Sequence, residues 1–394
     1  MFWIDRILLL LLALPAVLSC AYLLVLTLLS ARLPLPARST RRLKFDVVVP
    51  AHNEEAGIEA TVRSLRELDW DPAGMRIHVV ADNCTDDTAL IAERAGARVM
   101  VRHNDELRGK GYALAHAFEA CLAEGWSDAV VVVDADSSVS TNLLEAFAIR
   151  IEQGERAIQA HYGIRNPMKS WRTRLMTVAM GAFHIVRSRA RERLKLSSGI
   201  RGNGWCVTTS LLREMPYRSF SLTEDLEYGV LLGLAGIRVA FAEEAAANGD
   251  MVSSSAIAKK QRQRWEGGRM EMMRRFTGPT LRTAIRDRSA VNLDLALDLL
   301  VLPLSYVALN VALLIAGGFV AQGLGDSAGL CFVGVGLACL GALLVHVMQG
   351  WWVSGTGWRG LSALCYVPTY ILWKVIVMLG RKTAGWVRTE REVS

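Results

Sequence analysis

The run Ala129-Val130-Val131-Val132-Val133-Asp134-Ala135-Asp136 is five apolar residues followed at once by two acids around an alanine. An apolar run this short and this rich in β-branched residues reads as a strand buried on both faces. Side chains alternate along a strand, so the two acids at its end point to one face. Two converging carboxylates, Asp134 and Asp136, suit a hard divalent cation, Mg²⁺ or Mn²⁺. Such ions share one or two carboxylates with substrate phosphates and water and neutralise charge on a diphosphate leaving group. Turns and helix caps also produce the pattern, so the neighbouring sequence has to carry the argument.

On the N-terminal side, strands and helices alternate. Phe45–Pro50 reads as a buried strand. Ile58, Val62, Leu65 and Leu68 recur at helical spacing. Strands at Ile77–Ala81 and Ala97–Val101 bracket a helix at Asp86–Ala95, and Gly109-Lys110-Gly111 opens a helix over Tyr112–Leu122. This order predicts an α/β fold with a mostly parallel sheet covered by helices on both faces. Ligands of such sheets bind beyond the carboxyl ends of the strands. The polar clusters fall there: His52-Asn53-Glu54-Glu55, Asp82-Asn83-Cys84-Thr85-Asp86 and Asp134-Ala135-Asp136.

Further along, Thr223-Glu224-Asp225 has the composition of a helix start. A carboxylate held there, near an acceptor, can also serve as a general base. Lys259 to Trp265 is basic, and the stretch 257–276 sets Lys259, Lys260, Arg262, Arg264, Arg269, Arg274 and Arg275 among Trp265, Met270, Met272 and Met273. That composition suits a helix lying in a membrane interface. Its other face can present Arg264 as a clamp on diphosphate and Trp265 as a platform for a sugar. Glu243-Glu244 follows a strand predicted over Arg238–Ala242.

Composition sets the frame. The chain has 394 residues, 52% of them hydrophobic, and a formal net charge of +7; mean hydropathy is +0.26. Charge is absent from Ile7 to Ala31, from Leu299 to Gly325 and from Ser327 to Trp358, each longer than the ~20 residues a bilayer span needs. This excludes an ordinary soluble enzyme, a disordered chain and a disulfide scaffold. The seven cysteines contain no CxxC pair and imply neither disulfides nor zinc. No Lys-rich tail or repeated aromatic motif points to nucleic acid. The first apolar run continues past Cys20, beyond a signal-peptide core, and reads as an uncleaved anchor. Arg32, Arg38, Arg41, Arg42 and Lys44 follow it, which by the positive-inside rule puts the next domain in the cytosol.

The expected organisation is an anchor at 1–31, a cytosolic catalytic domain at 32–254, an amphipathic interfacial segment at 255–295 and two transmembrane helices within 296–353. An interfacial or re-entrant helix and a basic tail follow at 354–394. The last helix is kept out of the bilayer core because Lys374 is costly there, and because a fourth span would place Arg381, Lys382, Arg388 and Arg391 outside. The protein is thus expected to be integral to an inner or plasma membrane.

Taken together, Pro50-Ala51-His52-Asn53-Glu54-Glu55, Asp82, Gly109-Lys110-Gly111, Asp134-Ala135-Asp136, Gly202-Asn203-Gly204, Thr223-Glu224-Asp225 and Gln261-Arg262-Gln263-Arg264-Trp265 resemble the membrane-bound family 2 glycosyltransferases. That group includes cellulose, hyaluronan, chitin and poly-N-acetylglucosamine synthases and ceramide glucosyltransferases. The resemblance implies a GT-A fold and inverting transfer from a nucleotide sugar, usually a UDP-sugar. It assigns Pro50, His52, Asn53, Glu54, Asp82, Lys110, Asp134 and Arg264 to the nucleotide sugar, and Asp134 and Asp136 to the metal. Gly202, Asn203, Gly204, Gln261 and Trp265 fall to the acceptor; Asp225, beside Glu224, is the general base. Two departures stand out. His52 occupies a position where Tyr is frequent, and Trp205-Cys206 stands where processive members often carry an aromatic pair.

The acceptor is expected to be a lipid or a saccharide. Three membrane helices are few to enclose a polymer channel, which favours one sugar or a short oligomer over processive polysaccharide synthesis. A non-catalytic carrier would not need both acidic motifs. A membrane nucleotidyltransferase would need a Gly/Arg-rich nucleotide loop near the start of its sheet, and none is present.

Overall fold

The computed structural model describes residues 3–251 and 255–379; the basic tail residues Arg381, Lys382, Arg388 and Arg391 lie outside them. Helix α1 (Trp3–Leu28) leads through an extended linker to the catalytic unit. There the elements are β1 (Phe45–Ala51), α2 (Ile58–Arg66), β2 (Met75–Asp82), α3 (Thr88–Arg94), β3 (Arg98–Arg102), α4 (Lys110–Glu124), β4 (Ala129–Val132), β5 (Ser138–Val139), α5 (Leu143–Glu152) and β6 (Ala157–Ile164). The second half contains α6 (Trp171–Met180), a π-helical segment (Gly181–Val186), α7 (Arg187–Arg193), β7 (Trp205–Thr208), α8 (Thr209–Glu214), α9 (Glu224–Leu234) and β8 (Ala240–Gly249). It ends with α10 (Ser255–Arg286), α11 (Ala290–Leu300), α12 (Leu304–Gly323), α13 (Gly329–Ser354), α14 (Gly357–Ala363) and α15 (Val367–Leu379).

Among the described residues, eight strands form one sheet in the order β3-β2-β1-β4-β7-β6-β8-β5. The first four are parallel. Strand β7 then runs antiparallel to β4, and β6 antiparallel to β7, so the sheet is mixed rather than uniformly parallel. The reversal matters for the site. Val132 pairs with Trp205, so the Gly202-Asn203-Gly204 loop that enters β7 lies beside the acids that leave β4. One sheet face packs on α2 and α5 through Val47, Val49, Ile58, Val62 and Phe147. The other packs on α4, α8 and α9 through Val48, Leu114, Phe118, Trp205 and Tyr228. Trp205 and Cys206, flagged in the sequence, are buried sheet residues. All seven cysteines are free.

Among the described residues, four helical runs are long and apolar enough to cross a membrane: Trp3–Leu28, Leu304–Gly323, Gly329–Ser354 and Gly357–Val377. Helices α1, α12 and α13 share a core that includes Leu9, Leu23, Val311, Leu314 and Leu343, while Leu11, Leu14, Phe319, Leu337 and Leu344 face outward, exposed. Arg6 clamps Asp326 at 2.7 Å and ties the start of α1 to the α12–α13 turn. The span expected from about 296 begins at Leu304, because the chain breaks at Pro303 and residues 290–300 form the separate helix α11. The fourth run is α14, a 3₁₀ turn and α15. Its Lys374, the charge that argues against burial in a bilayer, is buried beside Glu266 Oε1 at 2.6 Å and donates to Ser305 Oγ at 2.5 Å. The partner on α10 neutralises it.

Candidate active site

The carboxyl ends of β1, β2 and β4 open into a cavity of about 780 Å³ that reaches down to the apolar helices α12, α13 and α15. Pro50, His52 and Glu54 line it at the end of β1, and Asp82 at the end of β2. His52 Nδ1 donates to the Asp82 carbonyl at 2.7 Å, and Arg102 holds the Asp82 carboxylate at 2.5 Å. Asn53, in the left-handed region at φ 55°, is not one of the residues lining the cavity. Its Oδ1 accepts from Thr85 N–H at 2.7 Å and fastens the two loops together.

Lys110 is the first residue of α4. Its Nζ donates to Asp134 Oδ1 at 2.5 Å and to Gly202 O at 2.7 Å, and lies 3.7 Å from Glu224 Oε1. One cation therefore joins the strand-end acid, the β7 loop and the start of α9. Burial alone would lower the Lys110 ammonium, but Asp134, Glu224 and Asp225 outweigh it and hold it raised. Gly202 sits at φ 89°, and a Cβ there would stand 3.1 Å from Asp225 Oδ2, so the loop touches the acid as only a glycine comfortably can.

Asn203 and Gly204 do not line the cavity. Asn203 is fully buried behind it: Oδ1 accepts from Asp134 N–H at 3.0 Å and Nδ2 donates to Ser137 Oγ at 2.7 Å. These bonds position the acidic turn. Gly204 is pressed against Ala247 of β8.

Thr223 is the N-cap residue of α9, but its side chain makes no capping hydrogen bond. Glu224 and Asp225 occupy the first turn, where the helix dipole favours acids. Burial pushes Glu224 up to about 7; Lys110 opposes the shift and Asp225 adds to it. Burial raises Asp225 too, against Lys110, the Leu226 N–H and Arg201. Such a pair, shifted toward neutrality beside a cation, is typical of sites that move protons. Helix α10 closes the wall with Gln261, Arg264, Trp265 and Glu266. Gly268 lets it approach: a Cβ there would lie 2.4 Å from Thr223 Cγ2. Asp136 faces the same space, and the buried Tyr162 senses Asp134, Asp136, Asp225 and Arg264 together.

Asp134 and Asp136 offer hard carboxylate oxygens to one cavity, a donor set that fits Mg²⁺ or Mn²⁺. The lower part of the cavity is missing from the sequence reading. It is walled by Leu175, Phe183, His184, Arg187, Arg201 and Val347. The available signal was the series Arg187, Arg189, Arg191 and Arg193, together with Arg201 directly before the Gly-Asn-Gly turn.

The mixed sheet, with its acids at the strand ends, is a fold of the GT-A type. Residues 42–268 match the model described as glycosyltransferase like family 2. The chain belongs to that family. It is 23% identical over 242 residues to the probable glycosyltransferase YdaM of Bacillus subtilis (strain 168), covering 59% of this chain and 57% of that one. It is 28% identical over 233 residues to a beta-monoglucosyldiacylglycerol synthase of Synechocystis sp. (strain PCC 6803), covering 56% and 47%. The chain thus spans about half the length of these curated relatives. Among solved structures, the mannosyltransferase PcManGT of Pyrobaculum calidifontis, in complex with GDP-Man and Mn²⁺, aligns with a TM-score of 0.56. That alignment, at 16% identity, covers 93% of this chain and 99% of that one and supports the shared fold.

Proposed function

We propose that this chain is a membrane-embedded inverting glycosyltransferase that moves a sugar from a nucleotide sugar, a UDP-sugar first among candidates, to a lipid or saccharide acceptor. The observation that carries this is Lys110. Its ammonium gathers Asp134, Gly202 O and Glu224 around one cavity that runs from the nucleotide end of the sheet to the membrane helices.

In this reading Pro50, His52, Glu54 and Asp82 hold the nucleotide. Lys110 and Arg264 face the diphosphate, Lys110 from a helix start suited to anions. Trp265 and Gln261 flank the acceptor. The acceptor hydroxyl attacks the anomeric carbon as the sugar–diphosphate bond breaks, and Asp225 takes the hydroxyl proton. Glu224, held beside Lys110, tunes the charge of that pair. Asp134 and Asp136 would hold Mg²⁺ or Mn²⁺, which supplies positive charge against the leaving diphosphate. The mannosyltransferase of similar fold is recorded with GDP-Man and Mn²⁺, so GDP-mannose belongs beside UDP-sugars in the donor panel. Two cyanobacterial relatives named beta-monoglucosyldiacylglycerol synthases support a lipid acceptor.

The basic linker between α1 and β1 supports a cytosolic catalytic unit. We place α1, α12 and α13 across the membrane. Helices α14 and α15 remain at the interface, a placement supported by their contacts with α6 and α10 of the catalytic unit.

The test is turnover by the full chain in lipid with a defined nucleotide sugar. Excess chelator should abolish it and Mg²⁺ or Mn²⁺ should restore it, with inversion at the anomeric carbon read by NMR. Full activity in chelator removes the metal, and a retained configuration removes the single-displacement mechanism.

A further inference from the structure

Directly before the Gly202 contact with Asp225 stands Arg201. Its side chain is buried, with the residue only 8% exposed, and it lines the cavity. Among the described residues it makes no ion pair and no side-chain hydrogen bond, and its Nε is buried without an acceptor. Its guanidinium carbon lies 4.4 Å from the centroid of the Phe183 ring, and Arg187 lies 4.8 Å from the same centroid.

The charge around it is unbalanced. Arg187 pairs with Asp298; Arg191 pairs with Asp298 at 2.7 Å and with Asp294 at 2.8 Å. Arg269, also on the cavity wall, donates to the main-chain carbonyls of Asp298 and Val301. Four arginines thus face two aspartates, and Arg187 Nε and Arg191 Nη1 also lack partners. Burial drives Arg201 down to about 9; Asp298 opposes this, and Arg191, Arg187 and Arg269 add to it. A buried, unpaired guanidinium is costly unless an anion completes it. The donor end has its own cations in Lys110 and Arg264. Below Arg201 the wall becomes apolar, with Leu175 and Val178 from α6, Leu304 and Ala308 from α12, and Leu343 and Val347 from α13. An anion site above an apolar slot between membrane helices has the shape of a phospholipid: headgroup above, chains below.

We propose that Arg201, with Arg187 and Arg269 on the same wall, holds the phosphate of an anionic lipid acceptor and sets a headgroup hydroxyl at Asp225. The inference rests on the transferase reading above and names its acceptor class. The hydroxyl oxygen bonds to the anomeric carbon, its proton passes to Asp225, and the nucleoside diphosphate leaves with the electrons of the broken sugar–oxygen bond. Arg201 is a binding residue in this step, and the phosphate it holds is unchanged.

The experiment uses the full chain in neutral-detergent micelles with three acceptors: phosphatidylglycerol, a polyprenyl-diphosphate sugar, and diacylglycerol, which has a hydroxyl and no phosphate. Donor dissociation constants are measured separately by calorimetry. Wild type should use at least one phosphate-bearing lipid with kcat/KM at least about tenfold above diacylglycerol. Arg201→Gln should raise the KM for that lipid by roughly 10- to 100-fold, the range of a lost charge-assisted contact, with donor affinity unchanged. Arg201→Lys should recover most of the loss, which a purely structural role would not predict. Equal use of diacylglycerol, no transfer to either phosphate-bearing lipid, or unaltered selectivity in a folded Arg201→Gln variant would each overturn the proposal. Inorganic phosphate competing as well as the lipid does would also overturn it, because the site would then take a free anion. Failure of the donor to bind at all would instead sink the transferase reading beneath it.

Discussion

Replacing Lys110 by methionine keeps the length of the side chain and removes the charge. The ammonium donates to Asp134 Oδ1 at 2.5 Å and to Gly202 O at 2.7 Å. A hydrogen bond to a charged group contributes about 1.5–3 kcal/mol. The Lys110 side chain keeps 25% of its surface exposed, so solvent screening pulls the estimate toward the lower end. If the same ammonium faces the donor diphosphate, the nucleotide should bind roughly 10- to 100-fold more weakly in Lys110→Met. A second consequence concerns pH. Lys110 opposes the upward shifts of both Glu224 and Asp225. Without it, Glu224 rises beyond about 7 and Asp225 rises with it. Catalysis needs an ionised base, so the acid limb of the pH–rate profile should move to higher pH. Calorimetry with UDP and a pH series at saturating donor read the two effects separately. A Lys110→Met protein with wild-type UDP affinity and an unmoved acid limb would refute the placement of this residue at the centre of the site.

Three further outcomes follow from the same geometry. Asp225→Asn keeps the side-chain size and removes the basicity. Turnover should drop by about 10²–10⁴, the typical worth of a general base, while UDP affinity stays within twofold; wild-type turnover would dismiss Asp225 as base. Glu224→Gln should stabilise the fold at pH 8 by on the order of 1–3 kcal/mol. Glu224 is raised to about 7 from the ordinary 4.5 of a glutamate, so its folded-state penalty grows as pH rises between these values and is absent below the lower one. The gain in Tm should therefore vanish near pH 4, and a pH-independent gain would contradict the assignment. Asn203→Ala leaves the Asp134 N–H and the Ser137 hydroxyl without their buried partner, costing roughly 2–4 kcal/mol and lowering kcat; an unchanged melting temperature would show that the turn does not depend on it.

The strand-end half of the cavity was legible in the sequence because its signals are local. A β-branched run ending in Asp134-Ala135-Asp136, a polar cluster at each of two other strand ends, and a Gly-flanked Lys110 each fix a side chain relative to its own strand or helix. These residues converge as the parallel order required. The second half of the sheet follows another logic. Strands β7 and β8 are short or interrupted by acids, and their antiparallel and parallel pairings are set by tertiary contacts that no periodicity records. Asn203 shows the consequence: the motif was legible, but its burial behind Asp134 depends on β7 running opposite to β4. Arg187 and Arg191 of α7 are buried against acids of α11, more than a hundred residues away, a pairing that no local pattern records. Lys374 is the same lesson in reverse. Its charge argues against burial only until Glu266, on a different helix, is placed beside it.

Transfer of a sugar from its nucleotide donor releases a nucleoside diphosphate. The most direct measurement incubates the purified full chain in lipid with a panel of UDP-sugars and GDP-mannose, with and without divalent metal, and identifies the nucleotide released. Metal-dependent release of UDP or GDP in step with appearance of a glycosylated lipid or saccharide is the predicted result. Release of pyrophosphate, or binding of the nucleotide sugar with no diphosphate released for any donor and acceptor, would contradict it.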